Sequence, residues 1–142
     1  MNARTIAACL FLLPSVCFGQ SILGKWKTTD DATKEIRSII VLSSSNGTIS
    51  GKILQIFPGP GEEKDPVCDK CSPNDPRYMK KIVGMEIIQG LKADGKEFVG
   101  GEILDPEDGK VYRLKMWLEG RNLKVRGYLG PFFRTQTWQP VD

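Results

Sequence analysis

An all-β protein is predicted, an antiparallel, mostly up-and-down β-barrel of about eight strands, and three observations carry that expectation. First, residues 101–138 alternate apolar and polar side chains in runs broken by Asp108-Gly109, Glu119-Gly120 and Gly130-Pro131. Turns that short make each run pair with the next, which is an antiparallel meander with one buried face. Second, further strand-like runs come at regular intervals upstream, and no window holds a helical period over three turns. Third, Gly51, Gly84, Gly100, Gly101, Gly127 and Gly130 stand within or at the ends of these runs. Glycine weakens a strand unless the sheet must bend sharply, as it does in a small barrel. Closure also removes open edges, so a barrel is favoured over a sandwich.

The chain starts with a segment that belongs to export rather than to the fold. Residues 1–19 hold one positive charge, Arg4, then the apolar run IAACLFLLPSVCF, which Pro14 interrupts and which is too short to span a bilayer. Cys17 and Gly19 are small residues at the −3 and −1 positions of a cleavage before Gln20. That is the order of a signal peptide, and it predicts a periplasmic or secreted protein. Val16 occupies the position where a lipidated Cys17 would need a small neighbour, so soluble export ranks above lipid attachment. Residues 20–142 remain as a single domain, long enough for one core and with no further run of transmembrane length.

The strands follow in order. Residues 22–28 carry Gly24-Lys25-Trp26, and residues 35–43 carry the β-branched Ile36, Ile39, Ile40 and Val41. Asn46-Gly47 is a strong hairpin signal leading into residues 48–57. Residues 81–91 and 98–104 flank the turn Ala93-Asp94-Gly95. Residues 111–119, 122–129 and 132–138 complete the set. Only residues 58–80 lack strand character: Pro58, Pro60, Pro66, Pro73 and Pro76 make this a long loop, and it contains Cys68 and Cys71.

Period two assigns the faces of two adjoining strands. Tyr112, Leu114, Met116 and Leu118 share one side, while Arg113, Lys115 and Glu119 share the other with Val111 and Trp117. Leu123, Val125, Gly127 and Leu129 oppose Lys124, Arg126 and Tyr128 in the same way. The apolar sets should point inward. An eight-stranded barrel is just wide enough either to fill with side chains or to hold one small ligand.

Composition excludes several chemistries. The 142 residues include no histidine, so imidazole-based serine or cysteine hydrolysis and histidine-ligated zinc are absent. The 20 basic and 17 acidic residues look interspersed, with no basic block or aromatic-interleaved patch, which argues against nucleic acid. Cys68 and Cys71 form an even pair in an exported domain, so a disulfide pinning the loop is the first reading. A redox-active CxxC is the alternative, although that chemistry favours a helix N-terminus in a βαβ setting. A metal would need two thiolates plus Asp65, Asp69 or Asp75, and none is expected. Asp105, Glu107 and Asp108 lack the ligand spacing of a calcium loop, and Asp108-Gly109 is explained by its turn.

Several motifs together carry a resemblance. Gly24-Lys25-Trp26, Gly51-Lys52-Ile53, Cys68-Asp69-Lys70-Cys71 with Asn74-Asp75-Pro76, and Ile82-Val83-Gly84-Met85 come first. Asp105-Pro106-Glu107-Asp108-Gly109-Lys110-Val111-Tyr112, Val125-Arg126-Gly127-Tyr128-Leu129-Gly130 and Arg134-Thr135-Gln136-Thr137-Trp138 follow. Over residues 24–138 the chain resembles the exported bacterial family of domain of unknown function 2147 (DUF2147). It departs at Phe132-Phe133, where many relatives look as though they have a glycine before the arginine. The resemblance implies a lipocalin-like (calycin) barrel in the periplasm or outside the cell, and it carries over no catalytic residue and no cofactor. It also implies that Trp26 closes the barrel's base, with Arg126 or Arg134 as the cation over its face.

Two functions of different kinds then stand open. The leading one is a carrier that holds a small apolar ligand inside the barrel, lined by Tyr112, Leu114, Met116, Leu118, Leu123 and Val125. The other is an envelope-associated or secreted interaction module whose barrel is packed solid. A redox protein using Cys68 and Cys71 is a weaker third. The oligomeric state is not legible.

Overall fold

The computed structural model describes residues 21–142, and the export segment expected over residues 1–19 lies outside them. Eight strands run in chain order: β1 (Gly24–Thr29), β2 (Ile36–Ser45), β3 (Thr48–Ile56), β4 (Glu86–Asp94), β5 (Glu97–Asp105), β6 (Lys110–Glu119), β7 (Asn122–Leu129) and β8 (Phe132–Pro140). Each pairs antiparallel with the next and β8 returns to β1, so the sheet is a closed up-and-down barrel. The closing seam is short. Trp26 faces Pro140 and Lys27 faces Gln139, and the Val141 N–H adds one more bond to the Lys25 carbonyl at 3.1 Å.

The turns form where their residues require. At the β2–β3 hairpin Asn46 and Gly47 both have positive φ, 51° and 78°, the pair of left-handed residues that a tight hairpin needs and that asparagine and glycine adopt most readily. One boundary differs from expectation. The fourth strand was expected from Lys81 but begins at Glu86, because Lys81 bridges to Val67 inside the long loop. Residues 82–85 then turn onto β3, with the Gly84 N–H donating to the Ile53 carbonyl at 2.7 Å and the Ile53 N–H donating to that of Met85 at 3.0 Å.

Every strand sends at least one buried residue into the core. Ile40, Leu42, Ile53, Ile88, Leu91, Met116, Leu123 and Trp138 are all buried in one contiguous cluster. Gly51 makes room for it. A Cβ there would stand 2.9 Å from Leu42 Cδ2 and from Ile88 Cδ1, so the interior is filled up to the backbone.

The loop between β3 and β4 is part of this core rather than an appendage. Ile87 and Ile88 are adjacent on β4 and both buried, which requires cover on both faces of the strand. Cys68, Cys71 and Met85 belong to the same buried cluster. The loop's arms bond to each other: the Cys68 N–H donates to the Lys80 carbonyl (2.8 Å), and the Met79 N–H donates to that of Cys68 (2.9 Å). Arg77 grips Asp75 with two hydrogen bonds of 2.9 and 2.8 Å and donates a third, of 3.2 Å, to the Glu86 carbonyl on β4. Those bonds hold the Asp75 carboxyl below its usual range. The clamp is therefore intact at neutral pH and loses its contribution only as pH falls through that lowered value. On the other side of the loop, Arg37 of β2 reaches Glu62 at 2.9 Å and Glu107 at 3.4 Å.

Candidate functional site

The expected ligand lining is where the alternation puts it, but it encloses packed side chains. Leu114, Met116, Leu123 and Val125 are buried, and Leu118 packs partly buried against them. Ile88, Leu91, Met116 and Leu123 have no accessible surface at all. A chamber able to hold a ligand would leave such residues reachable by water-sized probes from within. Tyr112 is half-buried toward one end of the barrel, beside the space that Gly127 leaves: a Cβ at Gly127 would lie 3.2 Å from that of Tyr112. Its hydroxyl donates to the Asp108 carboxylate, which pushes its pKa up to about 12 and keeps it a donor at physiological pH. Two surface depressions, of about 350 and 230 Å3, open to solvent and touch none of these six residues.

Cys68 and Cys71 are bonded to each other, with Cα atoms 5.4 Å apart. Both are buried, and no helix N-terminus lies among the described residues to activate either sulfur. The bond closes a short ring within the loop. Among the described residues no group of three or more potential ligands is placed to hold a metal ion.

The expected closure of Trp26 by an arginine is corrected. Trp26 is buried and its indole N–H donates to the Ile22 carbonyl at 2.8 Å, which ties the segment before β1 under the barrel. Arg134 pairs instead with Asp31 in the β1–β2 turn. Arg126 projects from the outer face of β7, where its guanidinium carbon lies 5.0 Å from the Trp117 ring centre and 4.6 Å from that of Phe133. An outward-facing side chain cannot reach an indole inside the barrel, so the alternation that assigned Arg126 outward also rules out its expected role.

That outer face is what the folded chain assembles and the linear sequence hides. Register sets Arg113 of β6 beside Tyr128 of β7, Lys115 beside Arg126, and Trp117 beside Lys124. Across β7 and β8, Tyr128 faces Phe133 and Arg126 faces Thr135. Cations and rings then interlock. Arg113 lies 5.7 Å from the Tyr128 ring centre, Lys115 lies 5.8 Å from that of Trp117, and the Tyr128 and Phe133 ring centres are 5.9 Å apart. Hydrogen bonds to the strand hydroxyls fix two of the cations: Arg126 Nε donates to Thr135 Oγ1 at 2.7 Å and Lys124 Nζ to Thr137 Oγ1 at 2.6 Å. Such pairs hold long side chains in place at about 0.5–1 kcal/mol each where exposed.

The expectation of evenly interspersed charge fails here. Lys110, Arg113, Lys115, Arg121, Lys124, Arg126 and Arg134 stand against Glu119 alone over residues 110–141. No acidic residue occurs between Gly120 and Val141. That gap in the acids was the readable signal, because it spans two whole strands and both of their turns. At the edge of the face, Lys115 reaches Glu97 of β5 at 3.0 Å.

Barrel and face define a class, a closed eight-stranded lipocalin-like barrel with a packed interior and a cationic, aromatic outer side. The chain belongs to the bacterial family described as "Uncharacterized protein conserved in bacteria (DUF2147)", whose model matches residues 24–140. A similar solved structure is that of protein HP1028 from Helicobacter pylori, described as belonging to the lipocalin family. It superposes with a TM-score of 0.70 at 16% identity, covering 86% of this chain and 84% of that one. At that identity the likeness is one of fold. No curated protein matches the sequence.

Proposed function

We propose that this protein is an exported, envelope-associated interaction module that binds an anionic partner through the outer face of β6, β7 and β8, and that it is neither an enzyme nor an internal carrier. The single observation that carries the reading is the interlocked set of Arg113, Lys115, Lys124 and Arg126 with Trp117, Tyr128 and Phe133 on one side of the barrel. Glu97 and Glu119 meet Lys115 and Lys124, while Arg113 and Arg126 have no acidic partner among the described residues, so an anionic partner answers their charge on binding. Against carriage stands the interior, where residues such as Leu91 and Met116 retain no accessible surface. Against thiol chemistry stands the burial of Cys68 and Cys71.

The test is charge reversal at Lys124 and Arg126. On a sulfated-dextran column the protein is expected to be retained at low salt, and K124E/R126E to elute at markedly lower salt. Surface electrostatics of this kind are screened within about 10 Å at 0.1 M ionic strength, so retention should fall steeply with salt. A control, K92E/K96E, alters cations on β4 and the β4–β5 turn and should change elution far less. Equal shifts in both double variants would contradict a specific face.

A further inference from the structure

We propose that the partner is a bilayer surface containing anionic phospholipid, on which the β7–β8 hairpin docks with its apolar tip leading and the cationic face behind it. This rests on the reading of the outer face as an anion-binding surface and adds the identity of the anion. Residues 129–133, Leu-Gly-Pro-Phe-Phe, hold no polar side chain and make up the end of the β7–β8 hairpin, with Gly130-Pro131 as its turn. Phe132 is 77% exposed, Phe133 60% and Leu129 42%. Single exposed apolar residues are ordinary, but an uninterrupted apolar hairpin end is a feature of an interaction site. A soluble polyanion gives these side chains nothing to bury in. The boundary of a bilayer does.

The layering along the strands agrees with that of a membrane interface. Arg126 lies three residues behind Leu129, roughly 10 Å at about 3.4 Å per residue, and Arg113 is level with Tyr128. Interfacial elements bury their apolar face about 5–10 Å deep, which leaves the Arg126 guanidinium at the depth of the phosphates. Arg126 is held there by the rings of Phe133 and Trp117, and guanidinium is suited to phosphate oxygens. Two acids reach the face's own cations, Glu97 at Lys115 (3.0 Å) and Glu119 at Lys124 (3.9 Å), which leaves Arg113 and Arg126 without an acidic partner among the described residues.

The experiment is co-sedimentation of the exported protein with vesicles of phosphatidylglycerol and phosphatidylcholine, compared with phosphatidylcholine alone. Binding is expected to the anionic vesicles only, and to weaken with added salt. L129S/F132S, which spares Phe133, should lose about tenfold or more in affinity while keeping its retention on sulfated dextran, and K124E/R126E should lose both. Leu54 is 46% exposed on β3, and Leu54→Ser should change nothing. Absence of binding to anionic vesicles overturns the inference, and so does binding that L129S/F132S leaves unchanged or that Leu54→Ser weakens equally. If sulfated dextran still retains the protein in that case, the anion-binding face stands and its partner is an acidic protein or polymer. Loss of both readouts overturns the face itself.

Discussion

Alanine at Gly109 is expected to lower the stability of the folded domain by about 3 kcal/mol or more, through two costs that add. Gly109 has φ of 72°, a left-handed conformation that costs an L-residue roughly 1–2 kcal/mol. A Cβ there would also lie 1.8 Å from the Lys70 carbonyl oxygen and 2.8 Å from the Cys71 nitrogen. Those are backbone atoms of the disulfide-bearing loop, so no side-chain rotation relieves the overlap and the loop must lift. Forced overpacking typically costs about 1–3 kcal/mol, and lifting also weakens the burial of Cys68 and Cys71. Gly120 is the matched control. Its φ is 62° with nothing within 4 Å of an added Cβ, so Gly120→Ala should cost only the backbone share. Urea unfolding of the two variants gives the comparison. Equal losses would mean that the loop does not press on the β5–β6 turn.

Trp26→Ala is expected to cost about 3–5 kcal/mol, the usual range for emptying a buried tryptophan site. The indole is buried on β1 and its N–H holds the Ile22 carbonyl, itself part of a residue with no accessible surface. Losing it opens a cavity beside the short β1–β8 seam and frees the segment that enters the barrel. Trp26→Phe keeps most of the ring, and its cost of about 1–3 kcal/mol should reflect the orphaned carbonyl. A loss below about 1 kcal/mol for Trp26→Ala, measured by denaturant unfolding, would contradict its place in the core.

The barrel was legible because its turns are written in residues that few other conformations want. Gly47, Gly95, Gly109, Gly120 and Gly130 all adopt positive φ in the turns that the sequence marks. Alternation along β6 and β7 separated inward Leu114, Met116, Leu123 and Val125 from outward Arg113, Lys115, Lys124 and Arg126. The start of β4 was hidden, since Lys81 and Ile82 read as strand residues and are claimed by Val67 and Pro66 across the loop. Irregular pairing nearby was signalled in part: Gly100 and Gly101 stood out as strand glycines where the β5–β6 register shifts between Phe98 and Gly101, but the positive φ of Gly90 was not marked.

The candidate site was only half readable. Parity says that Arg126 points outward, but not that Trp117, nine positions away, and Phe133, seven away in the other direction, will flank it. That depends on the β6–β7 and β7–β8 registers together. The expected lining was readable only as a set of inward residues. Sequence names the inward residues but not the space between them, and here Ile40, Leu42, Ile88 and Leu91 from the opposite strands take it up.

Amide and methyl NMR during titration with a short-chain anionic phospholipid, kept below its micelle concentration, tests the inside against the outside of the barrel. One molecule is offered both sites. The predicted result is that shifts gather on the amides of Arg113, Lys124, Arg126 and Phe133, while the methyls of Leu114, Leu123 and Val125 stay unmoved. Shifts concentrated on those interior methyls, with the outer strands silent, would contradict a solid barrel that works from its surface.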